Sequence, residues 1–242
     1  MKLGTIYGLG VGPGAPDLMT LRACQLLNKV KYIAFFRKAG HMGRAREIVN
    51  SFIQTNVIEL PMEYPVTTEI PITDTRYDAL MTAFYQECKA QLKTLSEKGV
   101  DVAVLCEGDP FFYGSFIHLY LRLKSEVPIE VVPAVTGMSA AWTATEHPIT
   151  WGSDVMSVLV GTMNEENLVQ HMVRCDALVI MKVGRNLKKI VSALKTADRH
   201  KSAWLIEYAS MAEQRTRHID KVEDQVAPYF SIIVVHGQGR RH

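Results

Sequence analysis

Clustered glycines near the amino terminus are the first residues that could bind a ligand. They lie in the segment GLGVGPG at residues 8–14, directly after an apolar stretch. Glycines in that position let the backbone pass very close to a bound molecule. Gly10, Gly12 and Ala15 also fit the dinucleotide fingerprint GxGxxG/A, which would indicate an NADP-dependent oxidoreductase with Arg37 near the 2′-phosphate. Two prolines in the same loop disturb the turn that presents amides to a pyrophosphate, so this fit is weak.

A second motif, EGDPFFYGS at residues 107–115, follows the apolar strand predicted over 101–105. It therefore stands at the carboxyl end of a strand, where open α/β sheets bind ligands. Gly108 permits an unusual backbone angle, and Asp109 can accept a hydrogen bond from a ribose hydroxyl or cap the next helix. The three aromatic residues that follow predict a flat apolar wall, although Phe111 is expected to be buried in the core.

The third motif is VPAVTGMSAA at residues 132–141. Its small side chains let a helix start close to another segment, and Thr136 could cap that helix or bond a ligand. Other catalytic signatures are absent from the sequence, namely HExxH, GxSxG and GxxxxGK[ST]. The eight histidines show no metal-ligand spacing. The sequence therefore predicts neither a hydrolase nor a metal site.

Strands and helices alternate along the chain, which predicts an α/β fold with sheets that are parallel at least in part. The predicted strands are 3–11, 31–36, 101–105, 129–132, 155–160, 177–182, 203–208 and 230–235. The predicted helices include 43–53, 74–98, 113–124, 136–144, 164–172 and 186–195. Residues 60–73 contain three prolines and are predicted to form a loop. Two α/β domains are expected, over 1–128 and 129–242.

Composition narrows the class of partner. The net charge of +2 is too close to neutral for a protein whose affinity for nucleic acid rests on phosphate neutralisation. No apolar run approaches the ~18 residues of a membrane helix, and the start MKLG opens a strand rather than a signal peptide. A cytoplasmic protein that binds neither nucleic acid nor membrane is expected.

Two clusters of basic residues could bind a small anionic substrate or could be solvated helix faces. They are Arg37, Lys38, Arg44 and Arg46, and Lys182, Arg185, Lys188 and Lys189.

In chain order, the three motifs resemble those of the tetrapyrrole methylase family, the class III S-adenosylmethionine-dependent methyltransferases. That family carries a GxGPG loop, a GDP turn after an internal strand, a VPGxTS-like segment and a later MK pair. This chain has GVGPG, GDP and VPAVTG, then Met181-Lys182, and a fifth match at EYAS over 207–210 with Gln214 after it. The resemblance runs from residue 3 to about residue 237.

The resemblance implies two α/β domains with the cofactor, S-adenosylmethionine, in the cleft between them, and a homodimer. Carried over motif by motif, the cofactor-binding residues are expected to be Pro13, Glu107, Gly108, Asp109, Phe112, Thr136, Gly137, Met181 and Ala209.

Within the family, the segment CEGDPFFYGSF at 106–116 is most like the branch that methylates carbon-20 of precorrin-2, giving precorrin-3A in cobalamin biosynthesis. The same methylation of cobalt-factor II is the alternative that the sequence does not separate from it. Tyr113 is expected at the substrate edge, and Arg37 and Arg44 at the ring carboxylates. Phe36 stands near where uroporphyrinogen methylases carry a proton-accepting aspartate. That argues against the uroporphyrinogen branch and leaves the protein base unidentified.

Overall fold

Two compact units make up the chain, and the division falls between Thr136 and Gly137. The computed structural model describes residues 2–67, 70 and 74–237. Each unit contains its own sheet, so the α/β prediction with two domains is confirmed. The predicted boundary after residue 128 is too early, because β5 (Ile129–Val132) pairs in parallel with β1 (Ile6–Gly10) in the first sheet. The apolar pattern of β5 identifies a strand but does not show which sheet it joins.

The first unit holds a five-stranded sheet in the order β3-β2-β4-β1-β5, and every neighbouring pair is parallel. Its other strands are β2 (Tyr32–Lys38), β3 (Ile58–Tyr64) and β4 (Val102–Cys106). Its helices are α1 (Leu21–Leu27), α2 (Arg44–Ile48), α3 (Thr75–Glu97) and α4 (Phe116–Leu123). A parallel sheet brings the carboxyl ends of all its strands to one edge, and that edge carries the first two motifs.

Burial on both faces explains the uninterrupted apolar sequence of β4, since all five of its residues are buried. On one face Ala103 and Leu105 pack in a cluster with α1 and α2. On the other face Val104 packs with α3 and α4. Gly8 is required beside α4, because a Cβ there would lie 2.3 Å from Cε1 of Phe116.

Side-chain caps set the starts of several helices. The hydroxyl of Thr20 accepts a hydrogen bond of 3.2 Å from the amide of Ala23 and caps α1. Asp74 caps the long helix α3 in the same way through the amide of Arg76. None of the helices in the described ranges combines the length and the apolar composition needed to cross a bilayer.

The second unit has a mixed sheet in the order β6-β7-β10-β8-β9. Its strands are β6 (Met156–Val160), β7 (Ala177–Met181), β8 (Ala203–Glu207), β9 (Arg215–His218) and β10 (Ser231–Val235). Its helices are α5 (Gly137–Thr143), α6 (Glu165–Met172) and α7 (Leu187–Thr196). Strand β10 is antiparallel to both β7 and β8. The carboxyl ends of β7 and β8 therefore lie at the same edge, beside the start of β10.

Two strands differ from the sequence prediction. Residues 60–64, predicted as loop, belong to β3, whose Pro61 pairs with Phe35. A proline is tolerated there because β3 lies at the edge of its sheet and needs hydrogen bonds on one side only. The polar strand β9, RTRH, was not predicted, since its largely solvent-accessible residues show no apolar pattern. Pro71 lies outside the described residues.

Candidate functional site

The glycine loop and the GDP turn lie against each other at the carboxyl ends of β1 and β4. The amide of Gly108 donates a hydrogen bond of 2.8 Å to the carbonyl of Gly12, and the amide of Val11 donates one of 2.9 Å to the carbonyl of Cys106. Pro13 follows directly and is buried. The first two motifs therefore form one continuous backbone surface.

Close packing at Gly10 adds the third motif to this surface. A Cβ at Gly10 would lie 2.6 Å from the Cβ of Ala134 and 2.9 Å from the carbonyl oxygen of Gly108. No side chain fits in that space, so the glycine is required for all three segments to meet. Thr136 ends the same segment and is the last residue of the first unit.

Asp109 ties the second motif to the third. Its Oδ1 accepts a hydrogen bond of 2.9 Å from the amide of Phe111, and its Oδ2 accepts one of 3.1 Å from the amide of Ala134. Each carboxylate oxygen of Asp109 therefore already accepts a hydrogen bond from a backbone amide. The first role of Asp109 is to hold the shape of the turn, and any contact with a ribose hydroxyl would be additional.

The backbone of the second motif is left-handed at two residues, one in the GDP turn and one after it. Gly108 has φ +64°, and a Cβ built on it would meet nothing within 4 Å. Tyr113 has φ +55°, a conformation that costs a non-glycine residue roughly 1–3 kcal/mol and is concentrated at functional sites. The space beside Gly108 is therefore open, as contact with a ligand requires.

The aromatic run after the turn is more exposed than the sequence suggested. Phe111 was expected in the core, but 48% of it is exposed, with one edge against Tyr120 at 4.8 Å between ring centroids. Phe112 packs edge-on against Tyr113 at 4.7 Å. Tyr113 itself is 51% exposed. An exposed aromatic surface follows the open glycine turn, which suits the docking of a flat apolar molecule.

Glu107 is the carboxylate in this region with the most unusual ionisation. It is partly buried, and none of the described residues gives it a hydrogen bond. Burial raises the pKa of its carboxyl group to about 7, opposed by the nearby positive charge of Arg44 and assisted by the negative charge of Glu47. At neutral pH this group exists in both its acidic and its basic form.

The two arginines predicted to meet ring carboxylates already have acidic partners. Arg37 contacts Oε1 of Glu63 through Nε at 2.9 Å and Nη2 at 2.6 Å. Arg44 donates to Oε2 of Glu47 at 3.0 Å. Both remain predicted substrate contacts, but each would have to share its charge with an internal carboxylate.

In the second unit, the predicted cofactor residues converge on the start of β10. Met181 ends β7 opposite Ile232, since the register pairs Ile180 with Ile233. A Cβ at Gly137 would lie 3.4 Å from Cδ1 of the same Ile232. Ala209 follows the end of β8, where Glu207 pairs with Ser231. These three residues therefore share one edge of the second sheet.

Left-handed backbone also marks this edge. Lys182, directly after Met181, has φ +56°, and Tyr208 and Ser210, on either side of Ala209, have φ +53° and +64°. The turn is braced by the side chain of Gln214, whose Oε1 accepts a hydrogen bond of 2.7 Å from the amide of Ser210. Ala209 is held in a turn that ordinary residues adopt only with strain.

Comparison with known proteins gives consistent matches over nearly the whole chain. The family model of Tetrapyrrole (Corrin/Porphyrin) Methylases matches residues 5–223. A precorrin-2 C(20)-methyltransferase of Sinorhizobium sp is 41% identical over 97% of this chain and 96% of its own length. A cobalt-precorrin-2 C(20)-methyltransferase of Salmonella typhimurium is 29% identical over 97% of each chain.

Solved structures share the fold at low sequence identity. The methyltransferase CobJ is 16% identical, with a TM-score of 0.72 over 99% of this chain and 96% of that one. A uroporphyrin-III C-methyl transferase from Thermus thermophilus, solved in complex with S-adenyl homocysteine, is 20% identical, with a TM-score of 0.68 over 96% of this chain and 92% of that one.

Proposed function

Because the chain belongs to the tetrapyrrole (corrin/porphyrin) methylase family, we propose that it transfers the methyl group of S-adenosylmethionine to carbon-20 of precorrin-2, giving precorrin-3A in cobalamin biosynthesis. The assignment of precorrin-2 as the substrate rests on the 41% identity to a precorrin-2 C(20)-methyltransferase along almost its entire length. S-adenosylmethionine is consumed in this reaction and supplies an activated methyl group on a sulfonium.

The protein's own task is then to bind and orient, since the sulfonium makes the methyl group reactive without help. We assign the donor's contacts to Pro13, Glu107, Gly108, Asp109, Phe112 and Thr136 in the first unit, and to Gly137, Met181 and Ala209 in the second. The open space beside Gly108 and the left-handed turn around Ala209 support this assignment. Tyr113 is assigned to the edge of the tetrapyrrole, and Arg37 and Arg44 to its carboxylates.

Family membership favours methyl transfer over an NADP-dependent oxidoreductase, and the geometry agrees. In the dinucleotide fingerprint the glycines lead directly into a helix whose amino terminus meets the pyrophosphate. Here α1 begins only at Leu21, after a separate 3₁₀ turn over Pro16–Leu18. The glycine loop of this chain instead faces the GDP turn.

The experiment is incubation of the purified protein with precorrin-2 and S-adenosylmethionine carrying a carbon-13 methyl group. We expect one labelled methyl on a bridging carbon, identified by NMR as carbon-20. A label on a pyrrole-ring carbon would refute the carbon-20 assignment. Calorimetric titration with S-adenosylhomocysteine and, separately, with NADPH tests the donor site, and tight binding of NADPH alone would refute methyl transfer.

A second candidate substrate is cobalt-factor II, supported by the similarity to the cobalt-precorrin-2 enzyme of Salmonella typhimurium. The lower identity, 29% against 41%, favours the metal-free ring. Comparing kcat/KM for the two rings under anaerobic conditions decides between them. We further propose that the enzyme is a cytoplasmic homodimer, which light scattering coupled to gel filtration tests directly.

A further inference from the structure

Glu107 lies at the carboxyl end of β4, next to the open space beside Gly108. It directly follows Cys106, the last residue of β4, and β4 lies at the centre of the first sheet. Alternation along the strand places Glu107 on the same face as Ala103 and Leu105, which pack in the cluster that includes α2. The carboxylate therefore reaches the carboxyl edge of the sheet beside the first turn of α2.

The surroundings of Glu107 are poorly suited to a purely structural carboxylate. Asp109, two residues on, has a backbone amide on each oxygen. Glu107 is partly buried and receives no hydrogen bond from the described residues, and burial disfavours its charged form. The charges that act on its ionisation are Arg44 and Glu47 of α2, which are paired with each other at 3.0 Å. Next along the chain, Gly108 leaves open space.

Methylation at carbon-20 requires a base, because that bridging carbon carries a hydrogen that the product lacks. Resting on the proposed function, we propose that Glu107 is the base that accepts this proton. Carbon-20 attacks the methyl carbon, the new carbon–carbon bond forms, and the carbon–sulfur bond breaks with its electron pair remaining on sulfur. The carbon-20 proton passes to the Glu107 carboxylate, and the electron pair of that C–H bond restores the conjugation of the ring.

The ionisation of Glu107 suits this role. Burial raises the pKa of its carboxyl group to about 7, with Arg44 lowering it and Glu47 raising it. A base with a pKa near the working pH is ionised in a useful fraction of molecules and still holds the proton well. Only the ionised form accepts a proton, so the rate of methyl transfer should rise with pH through about 7 and level off above it.

The test is single-turnover methyl transfer to precorrin-2 as a function of pH by the wild type and by Glu107→Gln. The glutamine variant has nearly the same shape and cannot accept the proton. Its plateau rate should fall on the order of 100-fold or more, and its dependence on pH near 7 should disappear. Glu107→Asp should recover part of the rate together with a pH-dependent limb.

Glu47→Gln is the matched control, because it removes a neighbouring carboxylate on α2 that is not assigned to the reaction. It should keep the plateau rate and shift the midpoint of the pH profile downward, since a like charge beside Glu107 is lost. Affinity for S-adenosylhomocysteine, measured by calorimetry, should stay within about threefold in Glu47→Gln and also reports that each variant is folded. In Glu107→Gln and Glu107→Asp, any loss of affinity from the contact assigned to Glu107 should be much smaller than the loss of rate.

Two results would overturn the assignment of Glu107. One is a Glu107→Gln variant that retains the wild-type pH profile. The other is a loss of affinity for S-adenosylhomocysteine that is large enough to explain the whole loss of rate. Glu107 would then contact the methyl donor and would not be the base. Failure of the proposed function looks different, since the wild type itself would then transfer no methyl group to precorrin-2.

Discussion

Glu207, whose carboxylate is buried, forms an ion pair with the partly exposed Arg217 across neighbouring strands of the second sheet. Nη2 of Arg217 lies 3.1 Å from both carboxylate oxygens of Glu207, whose side chain is only 5% exposed. The register pairs Arg217 with Leu205, so its side chain reaches diagonally along β8 to the residue that precedes the left-handed turn. Nη1 of the same arginine contacts Asp224 at 2.6 Å. The turn around Ala209 thus starts from a carboxylate fixed on both oxygens.

Removing Arg217 should therefore weaken both the second unit and the assigned donor site. Arg217→Ala leaves the Glu207 carboxylate buried without its partner, at a cost on the order of 3 kcal/mol in the free energy of unfolding. Affinity for S-adenosylhomocysteine should fall as well, because the turn that holds Ala209 loosens. Urea denaturation and calorimetry measure the two effects.

The control for that variant is Arg215→Ala, on the same strand and exposed. It should change the unfolding free energy by no more than about 0.5 kcal/mol and leave the affinity intact. An Arg217→Ala protein that is destabilised yet binds S-adenosylhomocysteine normally would show that the ion pair supports the sheet and not the turn.

Gly108→Ala separates backbone strain from ligand contact. An alanine at φ +64° costs about 1–2 kcal/mol of stability, and its methyl group would stand in the open space assigned to the donor. Gly152→Ala is a matched control, with φ +46° and equally open surroundings in a loop outside the assigned site. Both variants should be less stable, but only Gly108→Ala should bind S-adenosylhomocysteine more than tenfold more weakly. Equal affinities in the two would remove Gly108 from the site.

Asp109→Ala should act first on folding. The variant loses the acceptor for two backbone amides, so we expect the unfolding free energy to fall by about 2–3 kcal/mol. Asp17→Ala, which removes an exposed carboxylate next to the glycine loop, should have little effect. If Asp109→Ala kept full stability and lost only donor affinity, the main role of the carboxylate would be the ribose contact.

Much of the fold was predictable because the buried strands differ clearly from their surroundings. The apolar run of β4 and the amphipathic pattern of α3 predicted those elements to within a residue or two. β3 and β9 were not predicted, because edge strands carry prolines and polar side chains that central strands exclude. The domain boundary was misplaced because pairing of β5 is a long-range property that local periodicity does not encode.

The candidate site was predictable where glycine and proline fix the backbone, as in the GDP turn. Side-chain chemistry was less accessible. The sequence identified Glu107 only as part of a motif, since its ionisation depends on burial and on Arg44 and Glu47, which are distant along the chain. The ion pair of Glu207 with Arg217 was likewise not predicted, because Arg217 lies on β9, a strand that the sequence did not predict.

The ionisation of Glu107 also makes a prediction about stability that needs no substrate. With its pKa raised from 4.5 to about 7 in the folded protein, Glu107 binds its proton more tightly when folded than when unfolded. Its contribution to stability therefore falls as the pH rises from about 4.5 to about 7, and the full penalty is present above that range.

Glu107→Gln removes the penalty and should be more stable than the wild type at pH 8 by about 2 kcal/mol, a value reduced for partial solvent exposure. At pH 4 the carboxyl group is protonated in both states, so the two proteins should be nearly equal. Urea denaturation at both pH values measures the difference, and Glu87→Gln, at an exposed position of α3, controls for the general loss of one charge. A stability difference between Glu107→Gln and the wild type that is the same at pH 4 and pH 8 would show that Glu107 ionises normally in the folded protein.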